Sequence, residues 1–111
     1  MTAIIYDDGE EDNDSVSIIF NGQIIVNKAK IKIKENGVIK QVLHLSENLQ
    51  NYIIAKAWNT GKYGLNTLRI DFYEGDLSET DKREFKNMKP VTSKVLHSKP
   101  GNAGGLILDC Q

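Results

Sequence analysis

The chain has 111 residues, 40% hydrophobic and 26% charged, with a formal net charge of −1. This is one-domain size and ordinary globular composition, which excludes a disordered chain and gives no global pull toward nucleic acid or anionic lipid. No apolar run approaches the ~20 residues of a membrane-spanning helix, and the single cysteine, Cys110, excludes an internal disulfide.

Ile4 to Tyr6 reads as a short first strand. The acidic stretch Asp7 to Asp14 follows, with six of the fifteen carboxylates and no basic residue. Ser15 to Phe20 alternates, with Val16, Ile18 and Phe20 on one face. Asn21-Gly22 is a strong hairpin signal, because a type I′ turn needs positive φ at both central residues. Gln23 to Val26 returns as its partner strand. Lys28, Lys30, Lys32 and Lys34 alternate with Ala29, Ile31 and Ile33, and only a period of two puts all four lysines on one face. Residues 28 to 34 are therefore expected to form a separate strand.

Glu35-Asn36-Gly37 turns the chain, Val38 to Leu45 is the next expected strand, and Ser46 to Gln50 a loop. Asn51 to Trp58 is apolar at nearly every position, as a central strand would be. Asn59 to Asn66 reads as a loop, and Thr67 to Tyr73 as a strand with Leu68, Ile70 and Phe72 inward. After the turn Glu74-Gly75-Asp76, residues 77 to 89 fit two patterns. Ser78-x-x-Asp81 is a helix-capping spacing, while the lysines suit an edge strand. An irregular connection leading into a strand is the expectation. Val91 to His97 is the next strand, Pro100 to Gly105 a loop, and Leu106 to Cys110 the last strand. The sum is eight to nine short strands with frequent turns. That pattern predicts an all-β fold, a single antiparallel β-sandwich over residues 1 to 111, jelly-roll or immunoglobulin-like.

Two sets of residues fall in a recognisable order. Tyr6-Asp7-Asp8-Gly9, Asp12, Asp14-Ser15-Val16-Ser17 and Asn21-Gly22 form the first; Ala57-x-Asn59-x-Gly61 and Asn66-Thr67 form the second. Over residues 4 to 73 the chain resembles a group of small bacterial β-sandwich domains common in Bacteroidota. It departs from them at Gly64-Leu65, where they carry two prolines, and at residues 77 to 90, which look inserted. Members usually carry a leader, and Met1 to Tyr6 has neither its basic nor its apolar region. The resemblance implies a sandwich with a non-catalytic accessory role, and Asp14 bracing the 59 to 66 loop. It also implies Ala57 facing the core, which turns Trp58 outward.

Four groups of residues carry candidate chemistry. Asp7, Asp12 and Asp14 offer oxygens to a calcium ion, although the EF-hand order is absent; the alternative is a loop whose aspartates accept backbone N–H groups. Lys28, Lys30, Lys32 and Lys34 offer a basic strip to an acidic partner or to the acidic stretch of another copy; the alternative is an edge strand guarded by lysines. Trp58 and Tyr63, with Asn59 and Asn66, offer a stacking surface for a sugar or a protein; the alternative is an aromatic covered by residues 77 to 90. His44 and His97 fit no metalloprotease or triad spacing, and no phosphate or dinucleotide loop occurs, so an enzyme is not expected.

The expected role is a non-catalytic interaction or assembly module that requires no cofactor. Its partner is another protein or another copy, and its setting a surface, filament or virion. The alternative is a carbohydrate-binding module, with or without calcium. An extracellular place follows if a leader was removed, and a cytoplasmic or virion place otherwise.

Overall fold

The structure, a computed structural model, describes residues 1–7, 15–32, 37–47, 50–57, 66–98 and 103–108. For residues 57, 66, 67, 86, 97, 98 and 103–108 it describes the backbone. Among these residues are eight strands: β1 (Thr2–Asp7), β2 (Ser15–Phe20), β3 (Gln23–Lys30), β4 (Ile39–Val42), β5 (Asn51–Ala57), β6 (Asn66–Tyr73), β7 (Thr92–Ser98) and β8 (Ala103–Leu108). They form two four-stranded antiparallel sheets. The first has the order β4-β1-β6-β7 and the second β3-β2-β5-β8. The all-β expectation is thus met at the level of two packed antiparallel sheets.

The core lies between the sheets. Ala3, Ile5, Leu68, Ile70 and Phe72 from the first sheet meet Val16, Ile18, Phe20, Ile53 and Ala55 from the second. Each of these sets sits at alternate positions of its strand, which is how a period of two delivers one face to the interior. The expected inward set of Leu68, Ile70 and Phe72 is all buried. The expected hairpin is present too: Asn21 and Gly22 have φ of 50° and 84°, and Phe20 pairs with Gln23. A Cβ at Gly22 would force a side chain into this left-handed backbone.

Several boundaries differ from expectation. Asp7 ends β1 instead of opening a loop, and it lies opposite Leu68. Residues 28 to 30 belong to β3 and not to a separate strand. Two register shifts against β2 interrupt that strand, and Lys28 takes a left-handed φ of 51°. Such bulges bend a strand locally. Beyond β3 the chain moves across to the first sheet, where the Asp7 amide donates to the Lys32 carbonyl at 2.9 Å. Asn66 is the first residue of β6, opposite Ser98, and not a loop residue. Gly104 and Gly105, expected in a loop, pair with Ala55 and Ile54 inside β8. Glycines are poor strand formers but do not forbid a ladder on an edge strand.

Residues 77 to 91 form a cover over the outside of the first sheet. They contain a 3-10 helix, Lys82–Asn87, in place of a strand. Asp81, not Ser78, is its N-cap, and its carboxylate accepts the Arg83 amide at 2.9 Å. Phe85 projects from this helix into a second buried cluster with Ile4, Tyr6 and Tyr73. The Phe85 and Tyr73 rings meet edge-on, with centroids 4.9 Å apart.

Candidate interaction face

The outer side of the second sheet is built from positions that alternate with the core residues. Ile24 of β3, Ile19 of β2 and Ile54 of β5 fall in one row across three strands, continued by Gly105 of β8. Tyr52 is two residues from Ile54 on the same face. Ile24 is 63% exposed, Tyr52 is exposed, and Ile19 and Ile54 are half-buried. The other end of this face is basic. Lys56 lies opposite Ser17, Lys30 lies opposite Ser15, and both lysines are exposed, as is Lys28. β2, β3, β5 and β8 contain three lysines and no carboxylate. Among the described residues this face thus carries its exposed apolar side chains at one end and its lysines at the other.

The apolar end rests on a rigid support. Asn51, with no exposed surface, accepts the Ser46 amide at 2.6 Å and the Asn21 Nδ2 group at 2.8 Å on its Oδ1, and donates to the Ser46 carbonyl at 3.0 Å. Asn21 in turn accepts the Tyr52 amide on its side chain at 2.8 Å and donates its own amide to the Tyr52 carbonyl at 3.1 Å. The hairpin tip, the start of β5 and the preceding loop are thus locked together. The lock positions the backbone of Tyr52 beside the Asn21-Gly22 turn. Ser17 does similar work at the basic end, where its hydroxyl accepts the Lys28 amide at 3.0 Å and stabilises the bulge.

The first sheet presents a contrasting outer face. Asp71, only 4% exposed, accepts the Tyr6 hydroxyl at 2.9 Å and the Ser93 hydroxyl at 2.5 Å, with Arg69 Nε at 3.6 Å. This gives a buried carboxylate its donors and a counter-charge. Burial pushes the Tyr73 phenol above its usual range, and the negative charge of Asp71 adds to that. The cover is fastened at two further points. The Thr2 hydroxyl accepts the Leu77 amide at 2.9 Å and donates to the Gly75 carbonyl at 2.8 Å. The Lys40 ammonium donates to the carbonyls of Leu77, Ser78 and Thr80 at 3.3, 2.8 and 2.8 Å. Two carboxylates at this end of the molecule lie below their usual range: Asp76, in the turn before the cover, through hydrogen bonds from Ser78, and Asp81, in the cover, through hydrogen bonds from Arg83.

Of the anticipated site residues, Lys28, Lys30 and Lys32 are exposed on or just beyond an edge strand, and Lys34 lies outside the described residues. Trp58, Asn59 and Tyr63 also lie outside them, and Asn66 is placed by its backbone alone. Asp7 is buried within β1, while Asp12 and Asp14 lie outside the described residues. Among the described residues no group of three or more potential ligands gathers into a metal site. The cover does not lie over Tyr52, Ile54 and Lys56, because it packs on the opposite sheet. Ile24, Ile19 and Asp71 were not singled out from the sequence. The first two do leave a trace: Ile18-Ile19, Ile24-Ile25 and Ile53-Ile54 are apolar doublets, and a strand must turn one member of each outward.

Compared with known proteins, the chain matches no family model, no curated protein and no solved structure. No helix among its described residues is long and apolar enough to cross a membrane.

Proposed function

We propose that the chain is a non-catalytic module for protein interaction or assembly, a surface, filament or virion component built on a jelly-roll or immunoglobulin-like β-sandwich. One observation carries this reading: the outer face of the second sheet, where Ile24 and Tyr52 are exposed beside half-buried Ile19 and Ile54. Contiguous exposed apolar patches rimmed by polar residues mark interaction sites. The resemblance of residues 4 to 73 to bacterial sandwich domains agrees with this role and adds no substrate. The reading needs no cofactor. Sedimentation velocity on the full chain over a wide concentration range tests it: concentration-dependent association supports assembly, and a strict monomer counts against it.

A carbohydrate-binding role is the second reading, favoured by the exposed Tyr52 ring on the face that β5 carries toward Trp58. It predicts glycan binding that Tyr52→Ala and Trp58→Ala each abolish while the melting temperature holds. A silent glycan array removes it.

A further inference from the structure

Lys40 of β4 lies opposite Ile4 of β1 and is half-buried. Its ammonium has three N–H groups, and three backbone carbonyls receive them: Leu77 at 3.3 Å, Ser78 at 2.8 Å and Thr80 at 2.8 Å. All three carbonyls come from one stretch of four residues. That stretch is held in shape from its amide side by other partners. The Leu77 amide donates to the Thr2 hydroxyl at 2.9 Å, the Ser78 amide to the Asp76 carboxylate at 2.9 Å, and the Thr80 amide to the Leu77 carbonyl at 3.0 Å. Residues 77 to 80 are thus tied through their amides and turn three carbonyls toward a single positive charge. The bond to Ser78 is exposed and those to Leu77 and Thr80 are half-buried, so the group of carbonyls opens to solvent on one side.

We propose that the carbonyls of Leu77, Ser78 and Thr80 form a cage for a monovalent cation of ammonium or potassium size, which the chain fills with its own Lys40. Backbone carbonyls converging on one point replace the hydration shell of potassium in selective channels, and an alkylammonium head carries the same charge at a similar size. In the intact chain the cation is attached covalently, so the stretch takes its shape without an ion from solution. The filled cage sets Leu77 against the second cluster, where it packs with Ile4, Tyr6, Tyr73 and Phe85. An empty cage would leave three carbonyl dipoles aimed at one another, and the stretch would turn them out to water. Lys40 is in this sense the positioning residue of the first part of the cover. Its charge matters more than its stem, and a free cation of the right size can stand in for it.

The test is rescue by the ion. Full-length Lys40→Ala empties the cage and leaves room for a cation, and Lys40→Thr, whose branched side chain suits a strand, is read in the same way should Lys40→Ala fold poorly. Thr2→Val is the control: it loosens the same stretch by removing the hydroxyl from Leu77 and Gly75, and leaves Lys40 in place. Hydrogen exchange at the Leu77 and Thr80 amides and the melting temperature are followed in dilute protein, where the monomer alone is read. The salts are the chlorides of ammonium, potassium and tetramethylammonium, the last too large for the cage, at matched concentrations up to about 1 M, where general charge effects are screened. In tetramethylammonium chloride, exchange in Lys40→Ala is expected to be about tenfold faster than in the wild type. Ammonium or potassium chloride is expected to reverse most of that loss and to raise the melting temperature with concentration, as a bound ligand does. The wild type and Thr2→Val are expected to behave alike in all three salts. The cage is overturned if Lys40→Ala exchanges like the wild type, if the three salts act alike on the lysine variants, or if the wild type or Thr2→Val gains as much from ammonium or potassium as Lys40→Ala does.

Discussion

On the first sheet the outward side chains Ile4, Tyr6 and Tyr73 are as buried as the core, whereas on the second sheet the outward side chains of Ile24 and Tyr52 stay exposed. Both sets come from the same kind of strand, with apolar residues on both faces. What separates them is the cover, residues 77 to 91, which turns one outer face into a second small core and leaves the other open. Apolar residues on the outside of a strand therefore have two fates in this protein. One is satisfied inside the chain, and the other stays exposed in the single chain.

The sharpest way to break that comparison is to truncate one residue on each side. Phe85 is 2% exposed and fills the second cluster. Phe85→Ala is expected to cost about 3 kcal/mol in denaturant unfolding, the lower range for a buried aromatic. Ile54→Ala, on the open face, is expected to cost no more than about 1 kcal/mol, since its side chain is only half removed from water. Equal losses would mean that the open face is packed as tightly as the covered one.

The polar fastenings come next. Asn51→Ala strands the Ser46 amide and the Asn21 side-chain amide, both aimed at its Oδ1, and is expected to cost about 2 kcal/mol. Lys40→Met keeps the stem but removes the ammonium from three carbonyls, for an expected loss of about 1 to 2 kcal/mol. The two differ in where the loss shows. Hydrogen exchange in Lys40→Met should rise in residues 77 to 80, while in Asn51→Ala it should rise around the Asn21 turn. A uniform rise in both variants would show that the cover and the hairpin open only with the whole molecule.

The periodic features were readable before the fold was known. Alternation placed Val16, Ile18, Phe20, Leu68, Ile70 and Phe72 inward, and the Asn21-Gly22 hairpin follows from two residues that tolerate positive φ. The features set by tertiary contact were not. The lysine alternation from 28 to 32 survives as exposure, yet the strand is broken by bulges, because Ser17 captures the Lys28 amide. Residues 82 to 87, rich in the helix formers Lys, Arg and Glu, are too few to hold a helix alone, and Phe85 packing on Tyr73 anchors them. Asp71 reads as a solvated carboxylate in a strand, and it is buried only because Tyr6 and Ser93, distant in sequence, supply hydroxyls. Of the proposed interaction face, the outward placing of Tyr52 and Ile54 follows from alternation along β5, but the Ile24–Ile19–Ile54 row does not, because its alignment depends on register across three strands.

A pH series separates the covered face from the open one without a large perturbation. The Tyr73 phenol sits above its usual value of 10.0, so the folded state holds this proton more tightly than the unfolded chain. The resulting stability is fully present below about pH 10 and is lost as pH rises through the folded value. Tyr73→Phe is expected to remove this part of the alkaline decline. It should also lower stability only slightly at pH 7, because the hydroxyl's bond to the Phe85 carbonyl is long, at 3.4 Å. Wild type and variant losing stability in parallel above pH 10 would show that the phenol is not shielded, and hence that the cover does not close over it.

The smallest expected effect is on the open face itself. Ile24→Ser replaces a side chain that is 63% exposed on an edge strand, so the folded monomer loses little packing. Its unfolding free energy at low protein concentration is expected to stay within about 0.5 kcal/mol of wild type. The same substitution removes an apolar group from the proposed contact, so any concentration-dependent stabilisation of the wild type should shrink in the variant. A loss above about 1 kcal/mol in the dilute monomer would place Ile24 inside the protein's own packing. The asymmetry between the two outer faces would then disappear at the position where it is greatest.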